Sequence, residues 1–438
     1  MTQQQKRVLL FANKLGYQTR SFEGAADKLG VTLAYVTDRC SRLDDPWNDQ
    51  AVAVHFEVPE GAAGAVLESQ RGLPVDGILT VGDRPTVTAA YVARGLGLVH
   101  NHPASVEACR NKVRMREVMR DGGVPVPWFR AVPLHPLPEP ALLEIEYPCV
   151  LKPISLSASQ GVVRANNREE FIAGATRLKR LLDSPEVLAT RERNRDQMIV
   201  EGYLQGREVA VEALLTDGTL RVLAIFDKPD PLEGPYFEET IYVTPSRLAA
   251  EDQRAIEAML LNTVRAIGLT TGPVHAEFRL NHQGVWPIEV ATRPIGGLCA
   301  QALRFMIADL EEPIGLEELL LRDALGMLGN EVKREDSASG VMMIPVPQSG
   351  IFERVEGEQQ ARSLEFVTNL EITARLHDYI AAWPEGSSYL GFLFARAGSP
   401  AEVESALRGA HSKLRFNMTP RLAVEHPLTH TVPPGDRA

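Results

Sequence analysis

The sequence predicts a multidomain protein of mixed α/β and α+β class. Three observations carry that expectation. Over the first hundred residues apolar runs alternate with helix-spaced stretches, the pattern of a parallel, doubly wound sheet. From Tyr147 onward strand-like runs follow one another across short turns, the pattern of an antiparallel sheet with helices on one face. The length, 438 residues, allows two to four domains and a large core. The expected boundaries are 1–104 for an N-terminal parallel α/β domain, 105–202 and 203–315 for two lobes of a central unit, 316–425 for a C-terminal α+β domain, and 426–438 for a trailing tail.

The elements follow in order. RVLLFAN, VTLAYVT, AVAVHFEV, DGILTVG and LGLVHN read as strands, and FEGAADKLG and PTVTAAYVARGLG as helices between them. Gly16 and the run Gly82-Asp83-Arg84-Pro85 fall at strand C-termini, where such sheets bind ligands. No GxGxxG is present, so a dinucleotide site is not supported. Ser105 to Asp121 reads as one capped helix ended by Gly122-Gly123, and the proline-rich stretch after it as an extended linker. YPCVLKP, a small hydroxyl-rich loop and GVVRA form strand, loop and strand; FIAGATRLKRLLD is a helix. MIVEGYLQGREVAVEALL opens a second set of strands that turns at Asp217-Gly218. After Leu316, GLEELLLRDALGMLG is an amphipathic helix, followed by a mixed tail that ends in the helix SPAEVESALRGAHSKL.

The richest chemistry lies between Gly272 and Gly297. Glu277 and Glu289 sit in two alternating runs, HAEFRL and VWPIEVA, separated by a polar break at Asn281–Gly284. A hairpin there sets the two carboxylates opposite each other on one face. Like charges so opposed are destabilising, and a cation between them removes the cost. Paired hard oxygen ligands suit Mg2+ held jointly with a nucleotide. Arg293 and Gly296-Gly297 follow at once, a cation and a backbone that a ligand can approach closely. A solvated hairpin with two surface glutamates is the plain alternative. His275 shares the face of Glu277; it either meets a substrate or, more simply, is a satisfied core histidine.

Lys152 ends an apolar strand, from which a lysine can reach phosphate oxygens across a cleft. The loop Ser155–Gly161 behind it offers N–H groups and hydroxyls. Taken alone, Lys152 and Lys112 are equally well read as surface lysines. Glu201-Gly202-Tyr203-Leu204 leaves a strand, where main-chain groups can pair with a purine edge, and Glu208 can accept from ribose hydroxyls. An edge-strand turn with ordinary glutamates explains this piece equally simply. The segment Phe226–Thr240 either lines a substrate pocket or is an ordinary surface loop.

Composition bounds the rest. A net charge of −11 without a basic stripe argues against nucleic acid. No apolar run is long enough to span a bilayer and no leader pattern opens the chain. Cys40, Cys109, Cys149 and Cys299 are scattered and read as reduced thiols of a cytoplasmic protein. Oligomeric state is not legible; a homodimer is the commonest assembly.

In this order Lys112, YPCVLKP, Ser159-Gln160-Gly161-Val162, EGYLQGREVAVE, HAEFRL and IEVATRPIGG resemble the ATP-grasp superfamily over roughly residues 1 to 310. The tail from GVMMIPVP to SPAEVESALRGA is similar to the C-terminal domain of bacterial L-amino acid ligases. The resemblance implies a two-lobed ATP-grasp fold in the centre of the chain. It implies that Lys112 and Lys152 contact ATP phosphates, that Ser159 and Gly161 lie on the loop that closes over them, and that Glu201 and Leu204 belong to the adenine hinge. It makes Glu208 the ribose carboxylate, Glu277 and Glu289 the ligands of Mg2+ (two ions, with Mn2+ as a substitute), Arg293 the partner of the transferred phosphoryl group or acyl phosphate, and Gly296 a neighbour of substrate. Many relatives read Glu-X-Asn at the second metal site, whereas this chain has Glu289-Val290-Ala291. Alanine there favours the amino-acid ligase branch over the carboxylase branch. The implied activity is ATP-dependent joining of a small carboxylate to an amine through an acyl phosphate. A bicarbonate-dependent carboxylase and a lapsed ATP-binding protein are the alternatives.

Overall fold

A computed structural model describes residues 5–13, 17–38, 51–137, 144–308, 310–329 and 331–420. Gly16, Cys40 and the expected tail 426–438 lie outside the described residues.

The N-terminal sheet is parallel and carries four described strands, Arg7–Ala12, Thr32–Thr37, Ala51–Ala53 and Gly77–Val81. Its order puts the first strand between the second and the fourth. The first, second and fourth are almost wholly buried, as expected where helices cover both faces, whereas Ala51–Ala53 is only half-buried. Two expectations fail here. LGLVHN is not a strand: the helix Thr86–Leu96 ends at Gly97 in the left-handed region, and Val99 is exposed. AVAVHFEV pairs only at its start, because Pro59 opens the helix Pro59–Ser69 in its wake.

The expected single helix at Ser105–Asp121 is two helices, Pro103–Arg110 and Lys112–Asp121. Asn111 breaks them: it adopts an extended conformation, and its side-chain oxygen accepts from the N–H groups of Val113 and Arg114 at 3.1 Å each. The stretch read as a linker is in part a strand, Phe129–Pro133, paired antiparallel with Gln197–Gly202. That strand lies between Phe129–Pro133 and Cys149–Pro153 in a four-stranded sheet. The sheet forms the first lobe, with the helix Arg168–Leu182 packed on it through Phe171, Ala175 and Leu178.

The second lobe is built on an eight-stranded sheet. The hairpin Gly272–Asn281 and Gly284–Ala291 forms its edge, and Arg207–Thr216 and Thr219–Asp227 follow. The C-terminal segment continues this same sheet: Ala338–Ile344 pairs with Ile241–Thr244, and Gly391–Ala397 and Val367–Ile372 add beyond it. The helix Leu316–Ala324 crosses back to the N-terminal sheet. Its Leu319, Leu320 and Leu321 share one core with Val8, Leu10, Phe22 and Tyr35. A Cβ on Gly77 would stand 2.8 Å from the Ala324 carbonyl oxygen, so glycine lets this helix end touch the strand.

Candidate active site

The hairpin places its carboxylates as the spacing requires. Glu277 and Glu289 are register partners, with a bulge immediately after Glu277. They open on a cleft between the two lobes that Lys112, Lys152, Ser159, Leu204 and Glu208 also line. Residues separated by up to 177 positions in the chain thus meet in one place.

Each lysine is held by specific partners. Lys112 Nζ donates to the Leu156 carbonyl at 2.7 Å and lies 3.5 Å from Glu289 Oε1. Lys152 is ion-paired with Glu201. Glu201 also takes Arg116 Nε at 2.9 Å, and Arg116 reaches the Ile288 carbonyl at 2.8 Å. Burial alone would raise the Glu201 carboxyl, but Arg116 and then Lys152 hold it down at about 2. Glu201 therefore sits beneath the cleft as a buried anchor for two cations, while its strand is paired on both sides. The Leu204 carbonyl is taken by Arg279 at 2.6 Å. Glu208 accepts from Arg279 Nε and Lys228 Nζ, both at 2.8 Å.

In the loop Ser155–Gly161, Ala158 and Ser159 are both left-handed, and Gly161 has φ 74°. The N–H groups that follow are spent on carbonyls, Gln160 donating to Ser157 at 3.3 Å and Val162 to Ser159 at 3.1 Å. The Gly161 N–H itself donates outward, to the Pro384 carbonyl at 3.3 Å.

The sequence reading missed Lys228, the centre of the acidic cluster. Its ammonium lies 2.8 Å from Glu208 and 3.0 Å from Glu277, and it is also paired with Glu239. Burial would lower Lys228, but the three carboxylates raise it well above the usual range. Burial and the neighbouring Glu277 push Glu239 up to about 7 despite Lys228. Ligand oxygens of Glu208, Glu239 and Glu277 lie within 4.8 Å of one another. An all-carboxylate donor set fits a hard divalent cation. Lys228 and Glu239 fall within Phe226–Thr240, the segment flagged for its charge and aromatics. Their positions relative to the hairpin carried no local signal.

Arg293 and His275 form a second group beside the cleft. Arg293 makes a two-pronged pair with Asp83, Nε and Nη2 each at 3.0 Å, and Nη1 donates to the Pro294 carbonyl. Asp83 comes from the loop after the fourth strand, so the N-terminal domain supplies the site. His275 is bound to the buried Glu212, whose other oxygen accepts the Ile295 N–H at 3.1 Å. Burial would lower His275, but Glu212 raises it to about 9, so the ring is an imidazolium at neutral pH. This agrees with the core-histidine alternative, with one edge facing Glu277 at 3.8 Å. A Cβ on Gly296 would meet nothing within 4 Å. Ala291 is buried and pairs with His275 in the hairpin register.

Comparisons with known proteins agree with this geometry. Residues 145–302 match an ATP-grasp domain, and residues 342–419 match an L-amino acid ligase C-terminal domain. The crystal structure of an L-amino acid ligase from Bacillus licheniformis superposes with a TM-score of 0.79 at 26% identity, covering 95% of this chain and 100% of that one. Alanine–anticapsin ligase of Bacillus subtilis is 29% identical over 47% of this chain and 45% of its own length. The chain thus spans about half of that relative. N5-carboxyaminoimidazole ribonucleotide synthetase from Thermotoga maritima shares the fold, with a TM-score of 0.67 at 14% identity over 94% of this chain and 100% of that one. Among the described residues no helix is long and apolar enough to cross a membrane. The chain thus carries an ATP-grasp domain followed by an L-amino acid ligase C-terminal domain, and as a whole it resembles a bacterial L-amino acid ligase.

Proposed function

We propose that this protein joins a carboxylate to an amine, forming an amide or peptide bond with release of ADP and phosphate through an acyl phosphate. Amino acids or small carboxylic acids are the substrates. The observation that carries this reading is the convergence of Glu277, Glu289, Lys112 and Lys152 on one cleft, with Arg293 at its side. Lys112 and Lys152 hold the phosphates of ATP. Lys228, centred among three carboxylates, offsets part of their charge. Glu277 and Glu289 would hold Mg2+, which when bound neutralises charge on the phosphates. Arg293 exchanges its Asp83 partner for the anionic acyl phosphate and stabilises the charge on it. The amine attacks the acyl carbon and phosphate leaves. The loop Ser155–Gly161 shields that intermediate from water.

The test is a phosphate-release screen with ATP, Mg2+ and a panel of amino acids, singly and in pairs. Release that requires both an acid and an amine supports the reading. Release driven by bicarbonate without an amine overturns it in favour of a carboxylase.

A further inference from the structure

The root of the loop Ser155–Gly161 is gripped through its own carbonyls. The Lys112 N–H donates to the Ile154 carbonyl at 3.2 Å, Arg110 Nη1 to the Ser155 carbonyl at 3.1 Å, and Lys112 Nζ to the Leu156 carbonyl at 2.7 Å. Three successive carbonyls are thus taken by the junction between the helices Pro103–Arg110 and Lys112–Asp121. Asn194 adds a longer contact, from Nδ2 to the Ser155 hydroxyl at 3.4 Å. Arg110 is a long side chain with many rotamers, so a partner must set its direction. That partner is Glu192, which accepts from Arg110 Nη2 through both carboxylate oxygens, at 3.2 and 3.4 Å.

Glu192 is itself fixed by the N-terminal domain. Its Oε1 lies 3.3 Å from Arg84 Nε. Arg84 also donates from Nη2 to the Thr190 carbonyl at 2.8 Å and is ion-paired with Asp38, just past the second strand. Arg191 joins the same seam, its Nη1 lying 3.1 Å from Glu57. Arg84 directly follows Asp83, the partner of Arg293. One short turn of the N-terminal domain therefore reaches both the arginine beside the cleft and the root of the loop. The side chains of Arg84, Glu192 and Arg110 are 16%, 14% and 15% exposed, so salt and water screen this bridge less than a surface pair. Glu192 does not line the cleft itself. The far end of the loop is held by the C-terminal segment, through the Pro384 carbonyl and through Gln160 Nε2 to the Glu385 carbonyl at 3.0 Å.

We propose that Glu192 is a positioning residue that ties the root of the loop Ser155–Gly161 to the N-terminal domain, through Arg110 on one side and Arg84 on the other, and that ordered closure of the loop over a nucleotide depends on this tie. With a neutral side chain in its place, Arg84 and Arg110 face each other without the shared anion. Arg110 then loses its hold on Ser155, next to the Leu156 carbonyl that fixes the Lys112 ammonium. This role rests on the nucleotide-binding part of the ligase reading and goes beyond it by giving the N-terminal domain a part in loop closure.

Hydrogen exchange over residues 154–163, with and without Mg2+ and a non-hydrolysable ATP analogue, tests the tie, and equilibrium dialysis follows binding of the analogue separately. The analogue should slow exchange of the loop in the wild type. Glu192→Gln should speed exchange of the nucleotide-bound loop roughly tenfold or more, since a hydrogen bond to a charged group is lost. The helix Arg168–Leu182 and the strand Arg7–Ala12 should exchange as before. Because Glu192 acts through Arg110, adding Glu192→Gln to Arg110→Gln should change the loop little beyond Arg110→Gln alone. Unchanged loop exchange, a uniform rise across the chain, or two fully additive effects overturn the tie. Should Glu192→Gln fail to fold, Glu192→Asp keeps the charge but is too short to meet both arginines, and the same loop readout decides. An analogue that binds the wild type while loop exchange ignores Glu192 overturns the tie alone. An analogue that does not bind the wild type sinks the nucleotide reading and the tie with it.

Discussion

Replacing Glu201 by glutamine should loosen the first lobe by an amount the structure sets. Glu201 is buried between Arg116 and Lys152, and its carboxyl is held at about 2 against an ordinary 4.5. A depression of that size corresponds to about 3 kcal/mol of native-state stability at neutral pH. The sign is fixed by the direction. A carboxyl depressed in the folded state stabilises above its unfolded pKa, and the benefit drains away as pH falls from about 4.5 toward about 2. Glutamine keeps the shape but leaves two buried cations without an anion, a loss of about 3–5 kcal/mol for a broken buried pair. Hydrogen exchange of the amides in Gln197–Gly202 reads the local opening free energy without requiring the whole chain to unfold in one step. At pH 7 the variant should open with about 3 kcal/mol less protection, and the gap should narrow by about pH 3. Equal protection at pH 7, or a gap that does not change with acid, would refute the reasoning.

Other substitutions follow from the same geometry. Glu289→Ala should abolish ATP turnover, because it removes one of the two facing hairpin carboxylates proposed to hold Mg2+; near-normal ADP release would count against the site. Chelation by EDTA should stop ADP release, and either Mg2+ or Mn2+ should restore it. Arg293→Lys should lower turnover ~100-fold, since an ammonium cannot replace a fork that engages both oxygens of one carboxylate; an unchanged rate removes Arg293 from the mechanism. Gly297→Ala should lower the thermal midpoint, by an amount equivalent to about 1–3 kcal/mol, because φ is +64° and the new methyl would sit 2.8 Å from Phe392; an unshifted midpoint would show that this turn tolerates a side chain.

The hairpin was legible because its information is local. Alternation fixes the strands, an even count of residues fixes the face, and Glu277 and Glu289 could be paired without knowing anything else in the fold. Lys112 and Lys152 were legible only as members of an ordered series of motifs. Lys228, Glu212 and the pairing of Asp83 with Arg293 were harder, although the run Gly82–Pro85 that carries Asp83 was legible as a ligand-binding strand end. Each acts through a partner from a distant strand or another domain, and no short-range pattern marks a buried pairing. Secondary structure failed where a single residue outweighed periodicity. Asn111 divides a helix by accepting two N–H groups, and Gly97 ends one by turning left-handed before an apolar run that then reads as a strand.

The helix Leu316–Ala324 has a consequence for how the chain matures. The first sheet is made early in synthesis, yet one of its apolar faces is closed by leucines more than three hundred positions later. The nascent N-terminal segment therefore leaves the ribosome with the helix Tyr17–Leu29 and the strand Gly77–Val81 lacking a packing partner on that side. It must wait, held or shielded, until the residues through Leu325 have emerged. Ribosome-bound chains halted before residue 316 should expose protease sites in that segment, and chains halted well past Leu325 should lose them.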